Sequence, residues 1–146
     1  MKAAFLSAIL LLVVFLTGCV RYPVVKEELI EQLKSEQKLL HGDDMYSLGA
    51  PYASIGIEKF LCRNSDGEPI LLVLDKNTEM IVRLAGSGDL VKMYLDTVFL
   101  SDNKLVGQRS RIVRSPREVS IDQIDKIEIY AEFPRTEKVK PRQLGN

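Results

Sequence analysis

A chain of 146 residues has room for one small domain and its appendages. Hydrophobic residues make up 46% and charged residues 27%, and the 20 Lys and Arg balance the 20 Asp and Glu, so no charge excess recommends nucleic acid as a partner. One His, two Cys and no Trp exclude a multi-disulfide scaffold, a Cys/His zinc cluster and any mechanism that needs two histidines.

The chain opens with Lys2 as its single early charge, followed by an uncharged apolar stretch from Ala3 and then Leu16-Thr17-Gly18-Cys19. A basic start, a short apolar segment and small residues before a cut site describe a secretory signal over residues 1–18. A spanning helix wants about 20 apolar residues. The uncharged run to Val20 falls slightly short, and Arg21 and Pro23 end it. Leu16-Thr17-Gly18-Cys19 resembles the lipobox of bacterial lipoproteins: an aliphatic residue, a small residue, Gly or Ala, then Cys. The resemblance implies a diacylglyceryl thioether on Cys19, cleavage before it and acylation of the new amino group. Three acyl chains anchor firmly where one binds only marginally. Val20, rather than Asp, after the cysteine implies release to the outer membrane, facing the periplasm.

Residues 19–25 read as a tether, and residues 26–41 as a helix. Val25, Leu29, Leu33 and Leu40 recur near helical spacing, with Ile30 widening the stripe. Glu27, Glu28 and Glu31 sit toward the start and Lys34 and Lys38 toward the end, as the helix dipole prefers, and Gly42 follows as a stop. From residue 45 to 133 the chain reads as a β-rich domain. The expected strands cover 54–62, 69–74, 78–84, 91–100, 104–113, 118–121 and 126–133. They are separated by Asn64-Ser65-Asp66-Gly67, Asp75-Lys76-Asn77, Gly86-Ser87-Gly88-Asp89 and Ser101-Asp102-Asn103. The expectation is a mainly β (α+β) fold: the N-terminal amphipathic helix, then a small antiparallel barrel or sandwich of about six to seven strands. Residues 134–146, charged and poor in apolar side chains, read as a disordered tail.

Between Val119 and Ile129 the pattern is short strand, single helical turn, alternating strand. It is similar to the closing pattern of small SH3-like barrels and PH-like modules, folds that host many functions.

Four candidates for chemistry carry plain alternatives. Cys62 would be the only free thiol once Cys19 is acylated, and its strand-like setting reads as core. His41-Gly42-Asp43-Asp44 places one imidazole beside two carboxylates, a combination that more often makes a polar helix end than a site. Gly86-Ser87-Gly88-Asp89 lacks both the Walker lysine and the Rossmann spacing. Ser110 and Ser115 have no motif joining them to the lone His41. Charge is segregated: residues 19–103 hold nine basic and fourteen acidic residues, and residues 104–146 hold ten and six. The excess centres on Arg109, Arg111, Arg114 and Arg117, with no acid between Gln108 and Arg117. Guanidinium groups recognise phosphate and carboxylate, and Arg109 and Arg111 would share one face of a strand. The alternative is a solvated edge strand guarded by its charges.

The leading reading is a lipid-anchored envelope protein with a periplasmic β-rich binding domain. It would be attached to the membrane through lipid on Cys19 and would bind a protein or envelope component, with no nucleic acid, cofactor, metal or catalytic role. A second reading is a periplasmic inhibitor or immunity-type protein against a cell-wall lytic enzyme. Cys62 followed by Asp66-Gly67 is similar to the start of β-rich lysozyme inhibitors, whose paired cysteines and tryptophan are missing here. A hydrolase ranks last for want of a base.

Overall fold

Apolar alternation and tight turns in this chain produce ten strands and one α-helix in a computed structural model that describes residues 20–39, 57–112 and 116–139. Strand β1 is Val20–Val24, α1 is Lys26–Leu39, β2 is Lys59–Arg63, β3 is Pro69–Val73, β4 is Glu79–Leu84 and β5 is Leu90–Tyr94. A single 3-10 turn, Leu95–Thr97, leads to β6 (Phe99–Ser101), β7 (Lys104–Gln108) and β8 (Pro116–Ser120). A second turn, Ile121–Gln123, leads to β9 (Ile124–Ala131) and β10 (Arg135–Lys138). The strands form three antiparallel sheets, ordered β1-β9-β4-β5, β10-β3-β2 and β6-β7-β8. The fold is mainly β. It consists of open sheets with more strands than the six or seven expected in one barrel or sandwich.

The turns hold because their residues accept the backbone each one needs. Asp102 and Asn103 both take positive φ, at 45° and 62°, in the two-residue link between β6 and β7. Asn64 Oδ1 accepts from the N–H groups of Asp66 and Glu68, and Gly67 supplies φ 80° in the β2–β3 turn.

The core collects the inward residues of all three sheets: Phe60 and Leu72, Met80 and Val82, Ile127 and Ile129, Met93 and Leu105. Leu29 and Leu33 of α1 are buried in it. The helix also covers the outer edge of β2. Gln32 Oε1 accepts from the Leu61 N–H (2.7 Å) while Gln32 Nε2 donates to the Leu61 carbonyl (3.2 Å). The Arg63 guanidinium beside it pairs with Glu28.

Four segments differ from the sequence expectation. Residues 20–24, read within a tether, form β1, whose Tyr22 and Val24 are buried against β9. Residues 135–138, read within a tail, pair with β3 as β10. The single strand expected over 91–100 is cut in two at a corner. There the buried Thr97 hydroxyl donates to the Tyr94 carbonyl (2.7 Å) and accepts from the Gln108 N–H (2.9 Å). That same bond ends β7 at Gln108, well short of 113.

Candidate functional site: a cation-rimmed groove

Of the four arginines singled out, Arg109 and Arg117 are brought together and Arg111 is not, while Arg114 lies outside the described residues. Gly107 pairs with Arg117 across β7 and β8, so the residue that follows Gln108 lies near Arg117. Arg109 and Arg117 line a groove of about 180 Å³ with Leu90, Val91 and Lys92 of β5. The close crossing of β7 over β5 makes this possible. A Cβ on Gly107 would stand 2.8 Å from Met93 Sδ and 3.1 Å from Met93 Cβ, so only glycine lets the strands approach this far.

Lys92, Arg109 and Arg117 are exposed, and none has an ion-paired carboxylate among the described residues. Glu118, the neighbouring acid, is committed to Lys104 at 2.9 Å, and that hydrogen bond holds the Lys104 ammonium above its ordinary range. Leu90 gives the groove an apolar floor and is half exposed. The site can therefore hold a carboxylate or phosphate against an apolar contact.

Arg111 serves a different purpose. Because β7 has ended, Arg109 and Arg111 share no strand face, which corrects the expected arrangement. Its guanidinium lies 4.2 Å from the centre of the Tyr94 ring, pairs with Asp96 at 2.9 Å and donates to the Lys76 carbonyl. This triple engagement pins the segment after β7 to the corner of β5 and satisfies the charge locally. A second groove of about 430 Å³ lies near this clamp, lined by Ile57, Glu58, Val73, Leu74, Asp75, Lys76 and Asp96.

Cys62 is fully buried, and burial pushes its thiol up to about 12. The thiol is protonated at neutral pH, so Cys62 is a core residue. Gly86 and Gly88, at φ 82° and 73°, shape the β4–β5 turn, with Asp89 N–H donating to Ser87 Oγ at 3.2 Å. Ser110 Oγ accepts from the Ile112 N–H at 3.2 Å. Cys19, His41, Asp43, Asp44 and Ser115 lie outside the described residues. Among the described residues there is no group of three or more His, Cys, Asp or Glu placed to hold a metal, and no helix long and apolar enough to cross a membrane.

Leu90, Val91 and Lys92 are the groove residues that the sequence reading missed. Nothing local marks them, since their partners stand more than fifteen residues away on another sheet. Comparison with known proteins finds no matching family, no matching curated protein and no matching solved structure.

Proposed function

We propose that this chain is a lipid-anchored, non-catalytic binding protein of the bacterial envelope, held at the outer membrane and facing the periplasm, whose groove takes an anionic group of a partner. The motif Leu16-Thr17-Gly18-Cys19 supports the anchor. The start of β1 at Val20, directly after the cysteine, supports a short attachment in which the domain sits close to the bilayer. The SH3-like or PH-like likeness belongs to the same proposal, supported by the strand, 3-10 turn and strand that run from Pro116 to Ala131.

The observation that carries the binding reading is the convergence of Lys92, Arg109 and Arg117, drawn from two sheets, around one groove with no ion-paired acid among the described residues. Surface charges brought together and left uncompensated favour an anionic ligand, and screening weakens that attraction as salt rises. The test is binding of soluble polyphosphate to the full chain in phosphatidylcholine nanodiscs. Salt-sensitive binding that Arg109→Gln with Arg117→Gln abolishes is the expected result; binding indifferent to both changes rejects the groove. Mass spectrometry of the native protein should find the diacylglyceryl thioether on Cys19, and an unmodified sulfur there rejects the anchor.

A further inference from the structure

The edge of the four-stranded sheet at β5 is built differently from the edges at β1, β2, β8 and β10. In antiparallel pairs, residues alternate between bonding to the partner strand and facing away from it. Two bonds fix the phase of β5: Leu84 N–H to the Asp89 carbonyl (2.9 Å) and Leu95 N–H to the Thr78 carbonyl (2.9 Å). Residues 89, 91, 93 and 95 therefore bond toward β4, and Leu90 and Lys92 direct both N–H and C=O away from it. Tyr94 directs its N–H outward too, while its carbonyl is taken by Thr97.

The edges at β2, β8, β1 and β10 are blunted. On β2, Leu61 faces outward and Gln32 occupies both its backbone groups. On β8, the bond from Ile121 N–H to the Asn103 carbonyl puts Pro116 in the outward set, where it has no N–H to offer. On β1, Pro23 does likewise, since Val20, Tyr22 and Val24 bond toward β9. Strand β10 is four residues, all exposed and three of them charged. Strand β5 has five residues and no proline, no side chain among the described residues occupies the outward backbone groups of Leu90 and Lys92, and its first half lines the cationic groove.

We propose that the free edge of β5 receives an extended acidic segment of a partner protein as an added strand, its carboxylates meeting Lys92, Arg109 and Arg117. This rests on the groove reading and names its occupant. Main-chain bonds would supply affinity and the charges selectivity, as in other strand additions. Lys92 repels a second basic edge and attracts an acidic strand, so one side chain both prevents self-pairing and selects the guest. Position favours a protein over headgroups of the anchoring membrane. The register runs Val24-Ile127-Val82-Val91 and then Lys126-Arg83-Leu90, so the groove lies at the end of the sheet opposite Val20. Four residues of β1 separate the two ends by about 13 Å.

The test uses the full chain in phosphatidylcholine nanodiscs and a fluorescein-labelled peptide of alternating valine and glutamate, read by fluorescence anisotropy. Leu90→Pro removes one edge N–H at the first strand position, where proline is tolerated, and keeps every cation. It should weaken binding about tenfold, as should Arg109→Gln with Arg117→Gln. A peptide N-methylated at every residue, which leaves neither edge an N–H to donate, should fail to bind the unaltered protein, a result that does not depend on how any variant folds. Amide exchange at Leu90 and Lys92 should slow when the unmodified peptide is bound. Equal binding of the N-methylated peptide, or equal binding of a valine–lysine peptide, overturns the proposal. If polyphosphate binds through Arg109 and Arg117 while the peptide is indifferent to N-methylation, the groove stands and the added strand falls. If neither anion binds, both fall.

Discussion

Gly107 carries an unusual constraint for a strand residue with no positive φ. The obstacle to a side chain there is space alone: Met93 Sδ, Met93 Cβ and Val98 Cγ2 would lie 2.8, 3.1 and 3.0 Å from a new Cβ. The thioether end can swing aside, but Met93 Cβ is fixed by the β4–β5 pairing. Gly107→Ala should therefore cost about 1–3 kcal/mol, the usual range for overpacking. A lower urea midpoint with an unchanged slope, the product of slope and shift matching that loss, would confirm it, and an unshifted midpoint would show that β7 can lift away. Cys62 makes a second expectation at this scale. A thiol pushed up to about 12 by burial favours the folded state while it stays protonated. Stability from this source is complete below the unfolded thiol value, near 9, and is lost as pH climbs toward 12. Tyr22, raised by burial and then by Cys62, acts in the same direction. Denaturation of wild type and Cys62→Ala across that window should show a shallower pH slope in the variant. Near neutral pH a thiol reagent should label Cys62 only after unfolding.

Gln32 is where helix and sheet are joined by a single side chain. Its amide imitates a neighbouring strand, accepting from one Leu61 backbone group and donating to the other. Gln32→Ala leaves both part-buried groups without their partner, a loss of about 1–3 kcal/mol, and exchange of the Leu61 amide should quicken before global unfolding. Unchanged exchange would mean that water replaces the glutamine without cost. This contact also marks where reading the sequence stops. The turns at Asn64–Gly67, Gly86–Asp89 and Asp102–Asn103 were legible because glycine, asparagine and aspartate announce their own backbone. So was the alternation of Ile127, Ile129 and Ala131. The strands β1 and β10 were not, because five residues interrupted by Pro23 and four exposed polar ones become strands only through β9 and β3. The groove was half legible. Arg109 and Arg117 are visible as charge, but the diversion of Arg111 to Asp96 and the arrival of Lys92 depend on how two sheets cross.

Across the whole molecule, the element nearest the proposed anchor is part of the core and is not a leash. Tyr22 and Val24 are buried, and each such side chain contributes about 1.5–3 kcal/mol. Removing Val20–Val24 would also bare the full edge of β9. Together these losses approach the entire stability of a small domain, about 5–15 kcal/mol. Excision of residues 20–24 should therefore give an unfolded or aggregated product, whereas excision of a simple tether would leave the melting temperature unchanged. Inserting a flexible Gly/Ser linker between Cys19 and Val20 is the complementary experiment. It adds chain outside every strand pair, so thermal unfolding should not move. What should change is the distance from the bilayer to a fluorophore at Leu90, at the far end of the sheet, measured in nanodiscs by energy transfer. A distance that stays fixed after the insertion would mean that surface contacts, and not the short covalent attachment, hold the domain against the membrane. The exposed Phe133, two residues past the Ala131 that pairs with Val20, would then be the first side chain to replace.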